Sequence, residues 1–441
     1  MSKFAGGLAQ ADYMSRIGQL PPQQCLVVPI DVGKSSATAL VVDHHGRIVQ
    51  DLFEFDLTVS GANKLITVVA AAEQRAGALS VRAGIESAGH YHRALATTLR
   101  DKGFDIVELN PYHVKMARAQ MGQARIKTDL RDCLSMAEVL VRGRGWGPHS
   151  QDGTIAEQRL WTARRRRKLA AAQVLGGQIH ALADLAFPGL TGCFTTGLEA
   201  KTLRMLLATL AEPAAVAGMD ANALVAHAAT HRVRMLRPKA RQVIAAARDA
   251  MCVPEAQRRA AQQLLAEDVA TFDALQQALV NGDVHLEQLL PHTPAGVLTS
   301  VPGIGVVTAS YYGAALGDPD RFANADAAYR YSGLTPTSYE SAGRKATNNR
   351  ISKVGSVELR QAIITLGTVL ALHHPDFAAH KQRLLAAGKR PIVAAIALGH
   401  RAHRLAFALI RAQQPYDPHR WQQGQQGGRL ARTTARAART T

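Results

Sequence analysis

Acidic residues and cysteines are scarce in this chain. Against 52 lysines and arginines stand only 34 aspartates and glutamates, a formal charge of +18 over 441 residues. A surplus of that size favours a polyanionic partner, nucleic acid first. The four cysteines, Cys25, Cys133, Cys193 and Cys252, are far apart and form no C-x-x-C pair. That spacing argues against a zinc framework or a disulfide scaffold and suits a reducing cytoplasm. No charged-then-apolar leader opens the chain, and runs such as "VVPIDVG" and "PIVAAIALGH" are too short to cross a bilayer, so neither export nor membrane insertion is expected. With 47% apolar residues, the chain is long enough for two or three domains with sizeable cores.

Residues 1–24 end in "PPQQ" without clear periodicity and read as a loosely held extension. Three strand-like runs follow, "CLVVPIDVG", "ATALVVDHHG" and "RIVQDLFEFDLT", joined by Gly-containing turns and expected to pair antiparallel. An amphipathic helix, the strand "VRAGIES", a helix, the strand "DIVELN" and two more helical stretches complete a βββαβαβα order over residues 25–150. Residues 151–290 read as an α-helical, coiled-coil-like spacer that begins with one long helix closed by "FPG". Within it the block "RRRRK", Arg164 to Lys168, runs all round a helix, either as a solvated stretch or as phosphate contacts. From 291 to 412 the composition shifts to Gly, Ser, Thr and Tyr before helices resume, marking a second functional domain. The basic tail, 413–441, reads as a disordered arm able to touch nucleic acid.

Four carboxylates stand out in the first domain. Asp31 ends the first strand, Glu86 ends the fourth, and neighbouring strands of one sheet would bring them together. Asp129 and Asp132 in "KTDLRD" sit one helical turn apart at a helix start. Oxygen ligands in such number are what a pair of magnesium ions needs, and two such ions can activate one oxygen and stabilise another at a phosphodiester. An isolated D-x-x-D is more simply a helix start, with Thr128 or Asp129 as N-cap and Asp132 favouring the positive end of the dipole. Lys127 and Arg131 beside the pair would then face phosphate.

The segments "IDVGKSSATALVVD", "GIESAGHYH" and "KTDLRD" on a βββαβαβα pattern together resemble the RuvC-like branch of the ribonuclease-H fold. More narrowly, they resemble the DEDD transposases of the IS110 family, relatives of the Piv/MooV invertases. The resemblance covers most of residues 25–145 and implies that Asp31, Glu86, Asp129 and Asp132 are catalytic and bind Mg2+, as two ions per site.

In the second domain "LTSVPGIGVVTASYYGAAL" resembles a helix-hairpin-helix in which Gly303 and Gly305 bracket a tight turn whose amides can meet a DNA phosphate, although packing explains such a turn equally. The stretch "GDPDRFANADAAYRYSGLTPTSYESAGRKATNNRISKVGS" resembles the serine-bearing transposase domain of the same family. From Ser341 to Val357 there is no acid, while Arg344, Lys345, Arg350 and Lys353 cluster with Gly343 and Gly355, a flexible electropositive loop suited to phosphate. Ser341 aligns best with the family's nucleophilic serine, though Glu-Ser-Ala-Gly stands where Ser-Ser-Gly is usual, and Ser338 and Tyr339 are rivals. The architecture implied is an α/β RuvC-like N-terminal domain, an α-helical spacer and a mainly α C-terminal transposase domain.

That resemblance implies an insertion-sequence transposase: magnesium-dependent cleavage and religation of donor and target DNA through a covalent phosphoserine. It also implies guidance by a structured bridge RNA, assembly as a dimer or tetramer, and a cytoplasmic location at the nucleoid. Two other classes compete: a RuvC-like nuclease without a covalent step, and a non-catalytic nucleic-acid-binding protein. "VGKSS" is no Walker A loop, because Val28 stands where the first glycine is needed, and the second phosphate loop of actin-like sugar kinases has no counterpart. The histidines His90, His92, His373 and His374 lack a metal-ligand framework and read as packing or surface residues.

Overall fold

Valine, isoleucine and leucine fill the strand-like runs at both parities, the signature of strands covered on two faces. The computed structural model describes residues 6–87, 89–122, 128–145, 153–337, 340–341, 344–345 and 350–421. By contact density the chain divides into one unit of Met1–Asp152, Leu316–Arg360 and His400–Arg411, and another of Gly153–Ala315, Gln361–Gly399 and Ala412–Thr441.

The first unit opens with α1 (Gly6–Ile17), where the sequence suggested only a loose extension. Tyr13 and Ile17, four apart on one helix face, are buried with Cys25, and the Arg82 guanidinium lies 3.5 Å from the Tyr13 ring centroid. Strands β1 (Cys25–Val32), β2 (Ser36–Asp43) and β3 (Ile48–Asp56) are followed by α2 (Val59–Ala76), β4 (Ser80–Glu86), α3 (His92–Asp101), β5 (Asp105–Leu109), α4 (Pro111–Gln120) and α5 (Asp129–Val141). The sheet order is β3-β2-β1-β4-β5, antiparallel across β1–β3 and parallel from β1 to β4 and β5. This is the βββαβαβα order expected, and it fits a RuvC-like α/β domain.

Strand alternation sorts the core into two layers. Leu26, Val28 and Ile30 of β1, with Ala83 and Ile85 of β4, pack under α2 and α3. Val27, Leu40, Val42, Val107 and Leu109 point the other way, under α4 and α5. Gly84 faces α5, and a Cβ built there would lie 2.4 Å from a Leu140 methyl, so glycine lets the helix sit close on the sheet.

Also in this unit are α13 (Ala325–Tyr331) and the short strands β6 (Glu340–Ser341) and β7 (Arg344–Lys345), described after the helices α6–α12 of the other unit. Of those, α6 (Gly153–Ala186) and α11 (Glu255–Leu289) are long and pack together, with α7 (Lys201–Thr209), α8 (Pro213–Ala217), α9 (Ala221–Thr230) and α10 (Arg237–Arg248) between them in sequence. Leucine, alanine and methionine side chains from these helices share one core. The "RRRRK" block is partly consumed here: Arg164 donates to the Ala278 carbonyl at 3.1 Å, and Arg165 makes two bonds to the Asp283 carboxylate at 2.5 and 3.1 Å. Those two arginines hold α6 to α11, so the block is not a uniform phosphate surface.

After α12 (Val306–Leu316) come α14 (Val357–His373), α15 (Pro375–Ala386) and α16 (Pro391–Ala412). A Cβ at Gly367 would lie 2.4 Å from the Gly399 amide nitrogen, so α14 and α16 cross backbone to backbone. Contrary to the expectation that no apolar run reaches membrane length, α16 is long and apolar enough to cross a bilayer by length and composition. Its Ala394, Leu398, Ala402, Leu405, Ala406, Phe407 and Ile410 are buried within the protein, as in a core helix.

Candidate functional site

The four candidate carboxylates come from three elements of the first unit. The last parallel rung between β1 and β4 pairs Ile30 with Ile85, so Asp31 and Glu86 are the next residue on each strand, side by side at the carboxyl edge. Ile30 and Ile85 both face α2 and α3, which by alternation turns Asp31 and Glu86 to the α5 face. Adjacent strands are about 4.8 Å apart, so this juxtaposition is a close one.

Helix α5 begins on that same face. Thr128 is its N-cap, the hydroxyl accepting from the Arg131 amide at 3.3 Å, which settles the choice between Thr128 and Asp129. Both Asp129 and Asp132 fall in the first turn, Asp129 exposed and Asp132 buried at 2% exposure. Arg118, in the last turn of α4, brings its Nε to 2.7 Å from Asp132 Oδ1. Arg131 is half-buried and donates to the Gly122 carbonyl at 3.1 Å, and Lys127 lies outside the described residues.

Cys133 links the helix to the strands. Its Sγ lies 3.8 Å from the Thr38 hydroxyl and 3.7 Å from the Thr38 carbonyl, and Thr38 is the β2 residue paired with Asp31. Burial pushes the Cys133 thiol up to about 12, with the carboxylates of Asp31 and Asp132 adding to the rise against the Thr38 hydrogen bond. It is therefore a neutral packing group beside Asp31, not a nucleophile.

The other candidates occupy residues 303–353. Gly303 takes a left-handed φ of +91°, and a Cβ there would lie 2.4 Å from that of His373. Gly305 leaves open space around it and accepts from the Ala309 amide at the start of α12. The element before this turn is a 3-10 helix, Pro294–Ser300, rather than the α-helix a helix-hairpin-helix requires.

The segment expected to be a flexible loop contains an antiparallel ladder. Lys353 donates to the Gly333 carbonyl at 3.0 Å, Ser352 to Thr335 at 2.9 Å and Thr337 to Arg350 at 2.8 Å. Pro336 bridges Ile351, and further along β6 and β7 pair Glu340 with Lys345 and Ser341 with Arg344. Ser341 thus immediately precedes the two residues that join the strands, which with Ser338 and Tyr339 lie outside the described residues. At its root the arm is held by Arg360, donating to the Ser332 carbonyl at 2.9 Å, and by Gly355, where a Cβ would fall 2.1 Å from the Tyr331 carbonyl oxygen. Lys353 is exposed and left-handed at φ 57°, a conformation a lysine seldom adopts.

Residues 28–188 match a family model for the DEDD transposases of IS110, and residues 295–382 match one described as the transposase of the IS116/IS110/IS902 family. The two matches together take in more than half of the chain. It belongs to the IS110 family of transposases.

Among its relatives are the pilin gene-inverting proteins of Moraxella bovis and Moraxella lacunata, each 28% identical over 141 residues, 31% of this chain and 44% of theirs. The match therefore spans less than half the length of those two. An insertion element IS116 protein of Streptomyces clavuligerus is 25% identical over 324 residues, 73% of this chain and 78% of its own.

For this IS110-family chain the donor set consists of carboxylate oxygens, the type that suits a hard divalent cation. Among the described residues, no three His, Cys, Asp or Glu side chains stand close enough to share one ion. Asp31 and Glu86 are brought together, Asp132 is turned onto their face, and the Arg118 guanidinium lies against its carboxylate. Sequence reasoning missed Arg118 altogether. It lies 14 residues before Asp132 on another helix, and "KMARAQ" carries no motif. His92 is buried 4.0 Å from Glu108 and His374 bonds the Tyr416 hydroxyl at 2.8 Å, both as packing groups.

Proposed function

We propose that this chain is a DNA transposase that cuts and rejoins donor and target DNA through a phosphoserine on Ser341. The observation that carries this is the placement of Asp31 and Glu86 on adjacent parallel strand ends, with α5 and its two aspartates laid over the same face. The family matches on both halves of the chain support it.

In this reading Asp31, Glu86, Asp129 and Asp132 hold divalent magnesium, as two ions, in a RuvC-like domain of residues 25–150. When bound, magnesium would neutralise charge on the phosphate and on the oxygens entering and leaving it. Ser341 loses its hydroxyl proton, its Oγ bonds to phosphorus, and the bond from phosphorus to one strand's oxygen breaks, that oxygen taking a proton. Rejoining reverses the step with a hydroxyl of the other DNA. The ester conserves the bond energy, so no nucleotide cofactor is needed. Arg344, Lys345, Arg350 and Lys353 hold phosphates along the arm, as do Lys127, Arg131 and the turn at Gly303 and Gly305.

The protein acts in the cytoplasm, as a dimer or tetramer because two duplexes must be exchanged, and its positive surface also carries a structured bridge RNA whose base pairing chooses the sites. The helical spacer, 151–290, and the transposase domain, 291–412, are the two further parts of this organisation. The deciding experiment traps protein on DNA with magnesium and RNA and maps the attached residue. Ser341→Ala should abolish the adduct. An adduct on Tyr339, or cutting that survives Ser341→Ala unchanged, would falsify the serine assignment.

A further inference from the structure

Aromatic side chains are mostly covered in this protein. Among the described residues, the Phe, Tyr and Trp side chains that stand substantially open to solvent are three tyrosines, Tyr91 at 40%, Tyr112 at 63% and Tyr331 at 41%. Tyr331 already has partners, Phe322 at 5.5 Å between ring centroids and the Arg321 guanidinium at 4.6 Å. The other two follow strand ends at one edge of the sheet, Tyr91 at the start of α3 and Tyr112 at the start of α4, helices that lie on opposite faces of it.

Tyr91 follows β4, five residues beyond Glu86, and Tyr112 follows β5, three residues beyond Leu109. Strands β4 and β5 are adjacent and parallel, with Glu86 paired to Leu109, so both tyrosines leave the sheet at the edge that carries Asp31 and Glu86. Each stands beside a histidine. The rings of His90 and Tyr91 lie 4.3 Å apart, and those of Tyr112 and His113 6.1 Å. The exposed cations Arg93 and Lys115 lie two residues beyond Tyr91 and three beyond Tyr112, and neither α3 nor α4 has an acid in its first turn.

Leaving a tyrosine ring in water forgoes the gain of burying it. Buried tyrosines of this chain show that packing is available: Tyr13 and Tyr312 are 2% and 0% exposed. Rings open to solvent, flanked by cations and free of carboxylate neighbours in their own turns, suit planar π-faces carried on a phosphate backbone. A paired duplex hides those faces inside its stack, whereas an unpaired strand offers them.

We infer that Tyr91, with His90, and Tyr112 form the two sides of a stacking platform, one on each face of the sheet at its carboxylate edge, for unpaired DNA bases beside the phosphate that is cut. The platform holds the strand once it has left the duplex, and Arg93 and Lys115 meet its backbone. This location rests on the carboxylate edge being the cutting site, but binding is measured without magnesium and so stands apart from whether the carboxylates act.

The test uses the full chain and a mixed-sequence oligonucleotide carrying 2-aminopurine, single-stranded or annealed, in EDTA. Wild-type protein should quench the single-stranded probe by stacking. Tyr91→Ala and Tyr112→Ala should each weaken single-strand binding about tenfold while changing duplex binding little, and Tyr→Phe at both sites should retain it. Circular dichroism checks that both variants are folded, and the phenylalanine pair keeps the test valid should either alanine variant fail that check, since it must then bind and quench as wild type. Equal single-strand affinity in wild type and folded alanine variants overturns the inference. So does an equal loss on duplex, or a loss confined to an RNA of the same sequence, which would assign the rings to the guide. If adduct formation on Ser341 survives undiminished in variants that have lost the quench, the rings stack bases away from the cut phosphate, which overturns their proposed location while the transposase reading stands.

Discussion

Arg118 Nε sits 2.7 Å from Asp132 Oδ1, joining the last turn of α4 to the first turn of α5 with a carboxylate that is almost wholly buried. A buried charge without its counter-ion costs several kcal/mol, and breaking such a pair from one side typically costs about 3–5 kcal/mol. Arg118→Met should therefore destabilise the metal-free protein by an amount of that order, read as a lower midpoint in urea. Adding Asp132→Asn to it should return much of the loss, since no charge is then stranded. If the single and double variants unfold at the same midpoint, the ion pair is not what holds α4 to α5.

The approach of α5 to the sheet depends on Gly84. Gly84→Ala puts a methyl within 2.4 Å of a Leu140 side chain that is itself fully buried, and overpacking of this kind costs about 1–3 kcal/mol. Thermal unfolding should show the loss, and Leu140→Ala combined with it should be less destabilised than the two single losses added together. Strict additivity in that cycle would mean the two side chains do not meet.

Gly355→Ala addresses the arm rather than the sheet. The position has φ +131° and its Cβ would collide with the Tyr331 carbonyl, so the root of the Ser341 arm must move. Covalent capture of DNA should fall by at least tenfold while far-UV circular dichroism is kept. Undiminished capture would show that the ladder's root does not set where Ser341 acts.

His403 supplies a pH dependence. It is fully buried, its Nε2 lies 2.8 Å from the Ala325 carbonyl, and burial lowers its pKa to about 4. Among the groups around it are His400, which lowers it further, Asp326, which opposes that, and the Tyr329 ring 5.9 Å away. Because the unfolded chain binds the proton near pH 6.5 and the folded chain only near 4, stability is full above about 6.5 and falls as pH drops to 4, by up to about 3 kcal/mol. His403→Gln should flatten that part of a urea-midpoint profile. An unchanged slope between pH 6.5 and 4 would remove His403 as its source.

Much of the first unit was legible because its physics is local. Runs of Val, Ile and Leu mark two-face-buried strands, and an acid directly after such a run falls at a strand end, which is how Asp31 and Glu86 stood out. The pairing of Arg118 with Asp132 was not legible, since it depends on how two helices cross. "RRRRK" misled for a related reason: counting charges round one helix says nothing of Asp283 and the Ala278 carbonyl on another. The arm was read as a loop because "TSYESAGRKATNNR" has few strand formers, and its pairing is fixed instead at a root built from Gly333, Gly355 and Arg360.

The ladder at the root of the Ser341 arm also restricts how this protein can vary in length. Residues on paired strands alternate between two faces and advance about 3.4 Å each. Inserting one residue between Gly333 and Thr337 would turn the later positions of that paired stretch to the opposite side unless a bulge absorbed it. Adding two to each leg would preserve sidedness and push the tip about 7 Å further out. A change of length within that paired stretch keeps its sidedness only in even steps.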